Sequence, residues 1–467
     1  MSDDADDYAF LAEALAPDRV SVDEYARAEH AGDWGSRPED EVDPDVVVWP
    51  TTTEEVAAVL AAASERGIPV TPYAAGTGLE GNAVPAHAGI SMDLTRMDDI
   101  VEIRPADHQI DVQPGVLGSA VDEAAADHGL FFPPLPSSGD ISTIGGMVAT
   151  DASGMQTVKY GEVADWVLEL EAVLADGTVI SAGSKAAKTS AGYNLKDLLV
   201  GSEGTLAVVT RATLELAGRP QQVRGGRAVF SDLEAAGAAI ADAVQSGVDV
   251  AKIELVGRRA TEVANAYVGT DLPDRPMVFL EFHADHGIDE EIDFCRTVFA
   301  AHDPIEFELA GEDEMDELWQ LRKDMAYALD EWDPDLRQLH PGDVTVPMSE
   351  FPGIVRFARE RADAADLFMA CYGHAGDGNL HYEILVDPDD EVEVEHGEEV
   401  YAAVVERAIE LGGTATGEHG VGLGKRDFLV REHGAGSVAA MRAVKDALDP
   451  AGILNPGKIF PDEGERG

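Results

Sequence analysis

The pattern of apolar and polar residues predicts short strands interleaved with helices along the first part of the chain. Residues 46–50 and 166–174 are compact apolar runs of the kind that form strands, and a proline ends the first of them. After the first run, residues 51–66 repeat their apolar positions at helical spacing, with Thr53 as the expected N-cap. This alternation predicts a fold in which helices pack on sheets.

A break in the pattern divides the chain. Residues 217–220 place a glycine and a proline directly after an apolar strand, so we predict one domain over residues 1–218 and a second over residues 219–467. In the second part, apolar runs alternate with longer helical patterns, which predicts an α+β domain built on an antiparallel sheet. The predicted strands there are 228–230, 251–255, 277–283 and 343–347, and the predicted helices are 233–245, 318–332, 354–365, 398–411 and 436–448.

The net charge of the chain indicates the kind of solution in which the protein folds. Asp and Glu number 90 against 33 Lys and Arg, which gives a formal net charge of −57 at pH 7. Because the apolar segments are still periodic, we interpret this composition as a folded protein of halophilic type, in a cytoplasm whose high salt screens self-repulsion. A surface this acidic argues against nucleic acid and against anionic membranes as partners.

The cysteine count and the composition of the first residues indicate the cellular location. Cys295 and Cys371 are the two cysteines, too few for a four-cysteine iron–sulfur cluster or a disulfide framework. The first residues are acidic and contain no apolar signal core, and no uncharged apolar run reaches the length that spans a membrane. We therefore expect a cytoplasmic protein.

A glycine-rich stretch at residues 75–82 contains the pattern GxGxxG, which in a dinucleotide-binding Rossmann fold opens a helix. Here a proline and a further glycine follow at Pro85 and Gly89, so the chain continues as a loop and we reject the Rossmann interpretation. Successive amides of such a loop can still form an anion-binding nest. We predict a phosphate-holding loop, with a plain surface turn as the alternative.

A second stretch that is rich in small residues follows an extended proline-rich segment at residues 133–138. Glycines and hydroxyl residues are dense over residues 142–154, a composition that suits contacts with a large planar ligand whose edges are polar. We predict an irregular loop here. Long irregular loops inside a compact domain are usually functional, although a turn-rich loop without function is the alternative.

The most informative stretch is residues 371–385, which we predict to be a β-hairpin with a two-residue turn at Asp377 and Gly378. That turn would place His374 directly opposite His381, with Cβ atoms about 5 Å apart. Two imidazoles at that separation can hold one metal ion. The alternative is a glycine-rich loop that carries two ordinary surface histidines.

Residues 417–420 add a carboxylate and a third imidazole between glycines, at Glu418 and His419. Two histidines and one carboxylate leave coordination positions open, as catalytic metal sites do. In that arrangement His419 is available as an acid or base near neutral pH.

Together these motifs resemble the FAD-linked oxidase family, which includes D-lactate dehydrogenase, the FAD subunit of glycolate oxidase and D-2-hydroxyglutarate dehydrogenase. The resemblance runs from about residue 46 to residue 460. Its markers are GTGLEG from Gly76, PSS from Pro136, TIGGM from Thr143, KYG from Lys159, VGSEGT from Val200, GHAGDGNLH from Gly373, GEHG from Gly417 and LNPGK from Leu454.

The resemblance implies a PCMH-type, non-Rossmann FAD-binding domain of two α+β subdomains, followed by a C-terminal cap with an antiparallel sheet. It assigns the cofactor contacts to Gly76, Thr77, Gly78, Leu79, Gly81, Asn82, Pro136, Ser137, Thr143, Gly146, Glu203, Gly204 and Asn455. It assigns a divalent metal to His374, His381 and Glu418, with zinc expected first and manganese or iron as alternatives. Covalent relatives carry a histidine in the phosphate loop; residues 74–76 contain none, so the FAD should be non-covalent.

The resemblance also implies a reaction, the oxidation of a D-2-hydroxy acid to the 2-oxo acid with hydride transfer to the flavin. His419 matches the base, and Arg322 matches the residue that binds the substrate carboxylate; a surface ion pair on a helix is the alternative for Arg322. Where the hydroxyglutarate enzymes have an asparagine, this chain has Glu383, which would repel a second carboxylate and favours D-lactate or glycolate.

With two cysteines, the chain contains no four-cysteine iron–sulfur segment that would carry electrons away from the flavin. We therefore expect a separate acceptor, which could be an iron–sulfur subunit, an electron-transfer flavoprotein or a quinone, and through it a peripheral association with a membrane. A homodimer is left open. Two other functions are left open as well, a flavin oxidase that uses oxygen and a non-catalytic FAD-holding subunit of a larger complex.

Overall fold

The computed structural model describes residues 8–461, with the side chains of residues 312 and 313 excepted. It divides into two compact units. The first comprises residues 8–153, 162–219 and 418–461, and the second comprises residues 154–161 and 220–417. The predicted boundary at residue 218 divides the sequence in a different way, because residues 418–461 return to the first unit, and it stays a prediction.

The first unit contains two subdomains, each with its own sheet and core. A four-stranded sheet has the order Val20–Ser21, Val46–Val48, Ile90–Asp93 and Val70–Tyr73; the first pair is antiparallel and the others are parallel. A five-stranded antiparallel sheet has the order Ile100–Arg104, Gln109–Val112, Val208–Glu215, Val167–Val173 and Val179–Gly183. Leu130–Phe131 and Ala217–Gly218 form a small ribbon. Separate clusters of buried residues fill the two subdomains.

The helices of the first unit cover these sheets. They are Glu24–Ala28, Thr53–Arg66, Gly118–Ala126, Ile144–Thr150, Val163–Trp166, Leu195–Leu199 and Leu429–Leu448, with 3-10 turns at Ala9–Glu13, Pro17–Arg19, Pro105–Asp107 and Arg426–Phe428. The element Leu429–Leu448 consists of two helices joined at a kink, where Gly434 has a φ of 75°. The helix Thr53–Arg66 was predicted within two residues, but its N-cap is Thr52, whose side chain accepts a hydrogen bond from the amide of Glu55.

The predicted irregular loop at residues 142–154 is wrong in its centre, where Ile144–Thr150 forms a helix. Thr143 caps it, because its side chain accepts a hydrogen bond of 3.2 Å from the amide of Gly146. Ile144, Met147 and Val148 are buried, a helical spacing that the neighbouring glycines concealed in the sequence.

The second unit is built on a seven-stranded antiparallel sheet, as predicted. Its strand order is Glu306–Ala310, Gln222–Val229, Met277–Ala284, Lys252–Val256, Phe368–Gly373, Asn379–Val386 and Arg337–Thr345. The helices are Thr157–Tyr160, Leu233–Gln245, Arg258–Val268, Ile288–Phe299, Glu312–Lys323, Met325–Asp330, Phe351–Ala364 and Glu391–Glu410, with 3-10 turns at Ala300–His302, Met348–Glu350 and Ala375–Asp377. The single helix predicted over 318–332 is interrupted, since Asp324 separates two helices.

The predicted two-residue turn of the hairpin is also wrong. Residues Ala375–Asp377 form a 3-10 turn, and the amide of Asn379 donates to the carbonyl of His374. The strand pairing opposes His381 to Tyr372 instead of His374. His374 lies two residues beyond Tyr372 and therefore on the same face, so the two histidines are diagonal neighbours.

No helix within residues 8–461 combines the length and apolar character that a membrane crossing requires.

The high-salt expectation makes a measurable prediction about stability. At about 0.1 M salt the Debye length is about 10 Å, so a net charge of −57 repels itself across the surface, whereas about 1 M salt reduces that length to about 3 Å. If screening removes a few kcal/mol of repulsion, the Tm should rise by about 10 °C between 0.1 M and 3 M KCl. A Tm that falls or stays constant over this range, measured by circular dichroism, would contradict the interpretation.

Candidate functional site

The glycine loop of the first unit is held in a fixed, non-helical conformation. Gly76 and Gly81 have φ of 64° and 70°, and a Cβ on Gly76 would lie 2.3 Å from the hydroxyl of Tyr73. The carbonyls of Gly76 and Gly78 accept hydrogen bonds of 2.9 and 3.0 Å from the amides of Trp34 and Gly35. The next regular element is a strand instead of a helix, which agrees with the rejection of a Rossmann fold.

The same loop presents amides that could bind an anion. Within residues 8–461, the backbone N–H groups of Thr77, Gly78 and Leu79 donate to no acceptor. The Thr77 hydroxyl lies 3.1 Å from that of Ser142. Consecutive amides of a glycine-rich loop form the concave nest that phosphate oxygens fill, so the loop fits the pyrophosphate of FAD.

Glu203 joins three stretches that are far apart in the sequence. Its carboxylate accepts hydrogen bonds from the amides of Val421 and Gly422, at 2.7 and 2.8 Å, and from Asn82 Nδ2 at 2.6 Å. Asn455 Nδ2 donates to the carbonyls of Asn82 and Glu203, at 3.0 and 2.8 Å. Three of the sequence-predicted residues therefore form one buried network next to the glycine loop.

Glu203 and Gly204 also show backbone strain and close packing. Glu203 has a φ of 52°, which is uncommon for a residue with a side chain, and the φ of Gly204 is 65°. A Cβ on Gly204 would lie 2.9 Å from Cγ of Pro72. Burial raises the pKa of Glu203, against the hydrogen bonds from Val421 and Asn82, which lower it.

Among the cofactor residues, the family resemblance assigns Pro136, Ser137, Thr143 and Gly146 to the flavin, and all four belong to the first unit. Ser137 Oγ is buried and has no hydrogen-bond partner among residues 8–461. Outside the adjacent residues and the backbone of its own helix, the Thr143 hydroxyl, at 3.4 Å, is the described atom that a Cβ on Gly146 would approach within 4 Å. A buried hydroxyl without a partner and a helical position without a side chain are features that a planar ligand with polar edges could use, so these residues fit FAD.

The Glu203 network yields a test of cofactor binding. Replacing Glu203 by alanine leaves the amides of Val421 and Gly422 buried without an acceptor, which should cost about 2–4 kcal/mol of stability. Because the same network holds Asn82 at the end of the glycine loop, the variant should also release FAD on gel filtration where the wild type retains it. Glu169→Ala, in the strand Val167–Val173 of the same unit, is the control. A Glu203→Ala protein with full FAD content would contradict the assignment.

Glu418 and His419 belong to the first unit and start its last segment. Glu418 accepts a hydrogen bond of 3.0 Å from Ser153. Burial and the charges of Asp151 and Glu418 raise the pKa of the nearby Glu162 to about 7. His419 Nδ1 lies 3.8 Å from Glu80 Oε1, and its carbonyl accepts a bond of 3.3 Å from Asn82. Glu418 therefore lies among carboxylates, a setting that a bound cation would stabilise.

In the second unit, the sheet brings together His374 and His381. Their ring centroids are 5.1 Å apart and the rings are nearly perpendicular, at 88°. Their exposed fractions are 4% and 5%, so the alternative of ordinary surface histidines is wrong. Two buried imidazoles at this distance form two corners of a site that fits a divalent metal.

A buried carboxylate that the sequence analysis missed lies beside them. Glu254 is 0% exposed, and its Oε1 accepts a bond of 2.8 Å from His374 Nδ1. Its Oε2 accepts a bond of 2.8 Å from Arg322 Nε. The sequence shows Glu254 as a polar position in an alternating strand, and nothing local indicates that both faces of this central strand are covered.

Arg322 is buried as well, with an exposed fraction of 4%, so the alternative of a surface ion pair is wrong. Its guanidinium carbon lies 4.7 Å from the ring centroid of Tyr372. Arg322 Nη2 is buried and has no hydrogen-bond partner among residues 8–461. A buried N–H of a guanidinium that lacks an acceptor is the group that a ligand carboxylate would satisfy.

Asp343 supports the other end of this sheet face. It pairs with His381 across the strands and is 0% exposed. It accepts hydrogen bonds from Asn379 Nδ2, at 2.6 Å, and from the amide of Gly417, at 2.8 Å. The carboxylate thereby fixes the chain directly before Glu418.

Comparison with protein families finds two domains in the chain. Residues 44–183 match the FAD binding domain, and residues 219–459 match the family of FAD linked oxidases, C-terminal domain. The second match covers more than half of the chain.

The chain aligns with relatives of about one-third sequence identity over most of the length of both proteins. The chain is 35% identical to a probable mitochondrial D-lactate dehydrogenase of Danio rerio, covering 94% of this chain and 89% of the relative. It is also 35% identical to the glycolate oxidase subunit GlcD of Bacillus subtilis, covering 91% and 90%.

Solved structures show the fold. The structure of p-cresol methylhydroxylase with substrate bound has a TM-score of 0.80 at 17% identity and covers 100% of this chain and 99% of that chain. A 4-ethylphenol oxidase from Gulosibacter chungangensis has a TM-score of 0.78 at 17% identity, with coverage of 99% and 98%. The predicted PCMH-type fold with its antiparallel C-terminal sheet is thus confirmed. With both family matches and these relatives, the chain belongs to the FAD-linked oxidase family and is an FAD-dependent oxidoreductase.

Proposed function

We propose that the protein oxidises a D-2-hydroxy acid with one carboxylate, D-lactate or glycolate, to the 2-oxo acid. Relatives named for D-lactate dehydrogenase and glycolate oxidase support this substrate class. The observation that carries the proposal is the sheet face itself, where the buried guanidinium of Arg322 and the imidazole of His374 share one carboxylate.

Arg322 binds the substrate carboxylate in this proposal. Its Nε donates a hydrogen bond to Glu254, and its buried Nη2 has no acceptor among the described residues. A charge-assisted hydrogen bond in a buried setting is among the stronger polar contacts, at about 1.5–3 kcal/mol. Glu383 is 4% exposed and accepts a bond of 3.2 Å from the Tyr372 hydroxyl, on the same face. Its carboxylate would repel a second substrate carboxylate, which favours an acid with one carboxylate over D-2-hydroxyglutarate.

His374 and His381 would hold a divalent metal, with Glu418 of the first unit as the third ligand that the family resemblance assigns. Zinc is the first candidate for this set of nitrogen and oxygen donors, and manganese and iron are the alternatives. When bound, the metal supplies Lewis acidity toward the substrate hydroxyl and the flavin supplies the redox chemistry.

His419 takes the hydroxyl proton of the substrate in this proposal. It follows Glu418 in the chain, and its backbone is tied to Asn82 of the glycine loop. Imidazole is the side chain whose ordinary titration range suits proton transfer at neutral pH.

The FAD contacts are assigned to the thirteen residues named in the sequence analysis, and the binding is non-covalent. Residues 1–218 would form the FAD-binding domain and residues 219–467 the domain for substrate and metal. Electrons leave to a separate acceptor, for which an iron–sulfur subunit, an electron-transfer flavoprotein and a quinone remain candidates. A cytoplasmic, high-salt location is also part of the proposal, and a homodimer is left open.

Steady-state turnover with an artificial electron acceptor tests the proposal. We expect oxidation of D-lactate or glycolate, identification of the 2-oxo acid by mass spectrometry, and much slower turnover of L-lactate and D-2-hydroxyglutarate. The same samples are assayed for hydrogen peroxide under air. Stoichiometric peroxide would favour the oxidase alternative, and a flavin-loaded protein that turns over none of these acids would favour the non-catalytic subunit.

A further inference from the structure

We propose that Glu254 is a positioning residue that couples the metal-binding imidazole to the substrate-binding guanidinium, so that one carboxylate sets the geometry of both. This inference rests on the proposed function for the roles of His374 and Arg322. The contacts themselves are properties of the second unit: Oε1 of Glu254 lies 2.8 Å from His374 Nδ1, and Oε2 lies 2.8 Å from Arg322 Nε.

The position of Glu254 follows from the strand pairing. Val256 pairs with Tyr372 and Leu255 pairs with Gly373, so the antiparallel order places Glu254 opposite His374. Arg322 reaches the same carboxylate from the helix Glu312–Lys323. The Glu254 side chain, which is 0% exposed, therefore binds one residue from a neighbouring strand end and one from a helix.

The burial of Glu254 requires both partners. A carboxylate removed from water is strongly unfavourable unless charge and hydrogen bonds compensate it, and here each oxygen has one donor. The Tyr372 ring, 4.7 Å from the guanidinium carbon, restricts the guanidinium further. Because Nε is fixed on Glu254, the plane of the guanidinium is fixed, and the direction of the Nη2 N–H groups is fixed with it.

The same carboxylate selects the tautomer of His374. A carboxylate accepts hydrogen bonds, so Nδ1 carries the hydrogen and the neutral ring keeps its lone pair on Nε2. A hydrogen bond from the second ring nitrogen to a carboxylate also raises the basicity of the ligating nitrogen. Loss of such a partner typically weakens metal binding by about 10–100-fold.

The chain offers a matched control on the same sheet face. Glu281 is 7% exposed and also bonds one cation and one imidazole, Lys252 at 2.9 Å and His283 at 2.8 Å. His283 in turn lies 2.9 Å from the Tyr160 hydroxyl. The control carboxylate therefore has the same kind of partners but does not bond His374 or Arg322.

The experiment compares Glu254→Gln with Glu281→Gln in the full-length, FAD-loaded protein. Zinc affinity is measured by competition with a chelating dye, and KM and kcat are measured with D-lactate. Glutamine keeps one acceptor oxygen and replaces the other by an NH₂ group, which cannot accept a hydrogen bond, so one of the two bonds is lost and the other loses the charge of the carboxylate. We therefore expect Glu254→Gln to lose about 10–100-fold in zinc affinity. We also expect its KM to rise by about 10-fold or more as the guanidinium loses its anchor. Glu281→Gln should leave both quantities within about 2-fold of the wild type, the ordinary range for a change that touches neither group.

A Glu254→Gln protein in which neither quantity changes, or only one of them, would overturn the coupling. If that variant does not fold, Glu254→Asp supplies the test, since it keeps the charge but is one methylene too short to reach both donors, and the same two losses are expected. The zinc measurement needs no turnover. If no hydroxy acid is oxidised by the wild type, the proposed function fails while the zinc comparison still decides the role of Glu254 toward His374.

Discussion

Replacing His419 by alanine should lower the rate of flavin reduction by substrate about 10²–10⁴-fold, the usual contribution of a general base. The reason is that the hydroxyl proton then has no acceptor at the time the hydride leaves. FAD should stay bound, because the backbone carbonyl of His419, which Asn82 contacts, is unaffected by loss of the ring. The measurement is anaerobic stopped-flow reduction with D-lactate, at substrate concentrations that saturate the wild type.

His433→Ala is the control for that experiment. His433 lies on the helix Leu429–Leu448 of the same unit, and its side chain is 39% exposed. It should reduce the flavin at the wild-type rate. Normal reduction by the His419 variant would remove this residue from the mechanism, and loss of FAD would show that its role is structural.

Arg322→Lys should reduce kcat/KM by about 10–150-fold, which corresponds to the loss of one charge-assisted hydrogen bond of about 1.5–3 kcal/mol. Lysine keeps the charge, but a single ammonium cannot reproduce the planar fork that bonds Glu254 through Nε and a ligand through Nη2. The effect should fall mainly on KM, since the carboxylate of the substrate is bound both before and during the reaction.

Arg322→Met should act on stability as well. It leaves the carboxylate of Glu254 buried without its cation, and breaking a buried pair in this way costs about 3–5 kcal/mol. Denaturant unfolding separates this loss from the kinetic effect. Arg258→Met, whose side chain is 54% exposed in the same unit, is the control for both measurements. An unchanged KM in a folded Arg322→Met enzyme would contradict the assignment of this residue to the substrate.

The local sequence was sufficient where a short-range pattern determines the structure. Gly76 and Gly81 mark a loop because positive φ is available to glycine, and Pro85 shows that no helix follows. The helix Leu233–Gln245 coincides with its prediction because its apolar spacing and the capping Asp232 agree.

The local sequence failed where tertiary packing decides. Asp377-Gly378 suits a two-residue turn, yet Asp377 belongs to the 3-10 turn Ala375–Asp377. His374 and His381 are therefore diagonal neighbours instead of a directly opposed pair. Glu254 could not be identified, because its partners come from a strand and a helix that lie far along the chain. A charged position in an alternating strand usually faces solvent, and only the complete sheet shows that this one is buried.

The most direct test of the account is an anaerobic titration of the metal-loaded protein in high-salt buffer, with the flavin absorbance as the signal. D-lactate, L-lactate, glycolate and D-2-hydroxyglutarate are added separately, before and after chelation. The account predicts that D-lactate or glycolate bleaches the flavin and that chelation abolishes the bleaching. A yellow protein that none of the four acids reduces, or bleaching that chelation leaves unchanged, would contradict it.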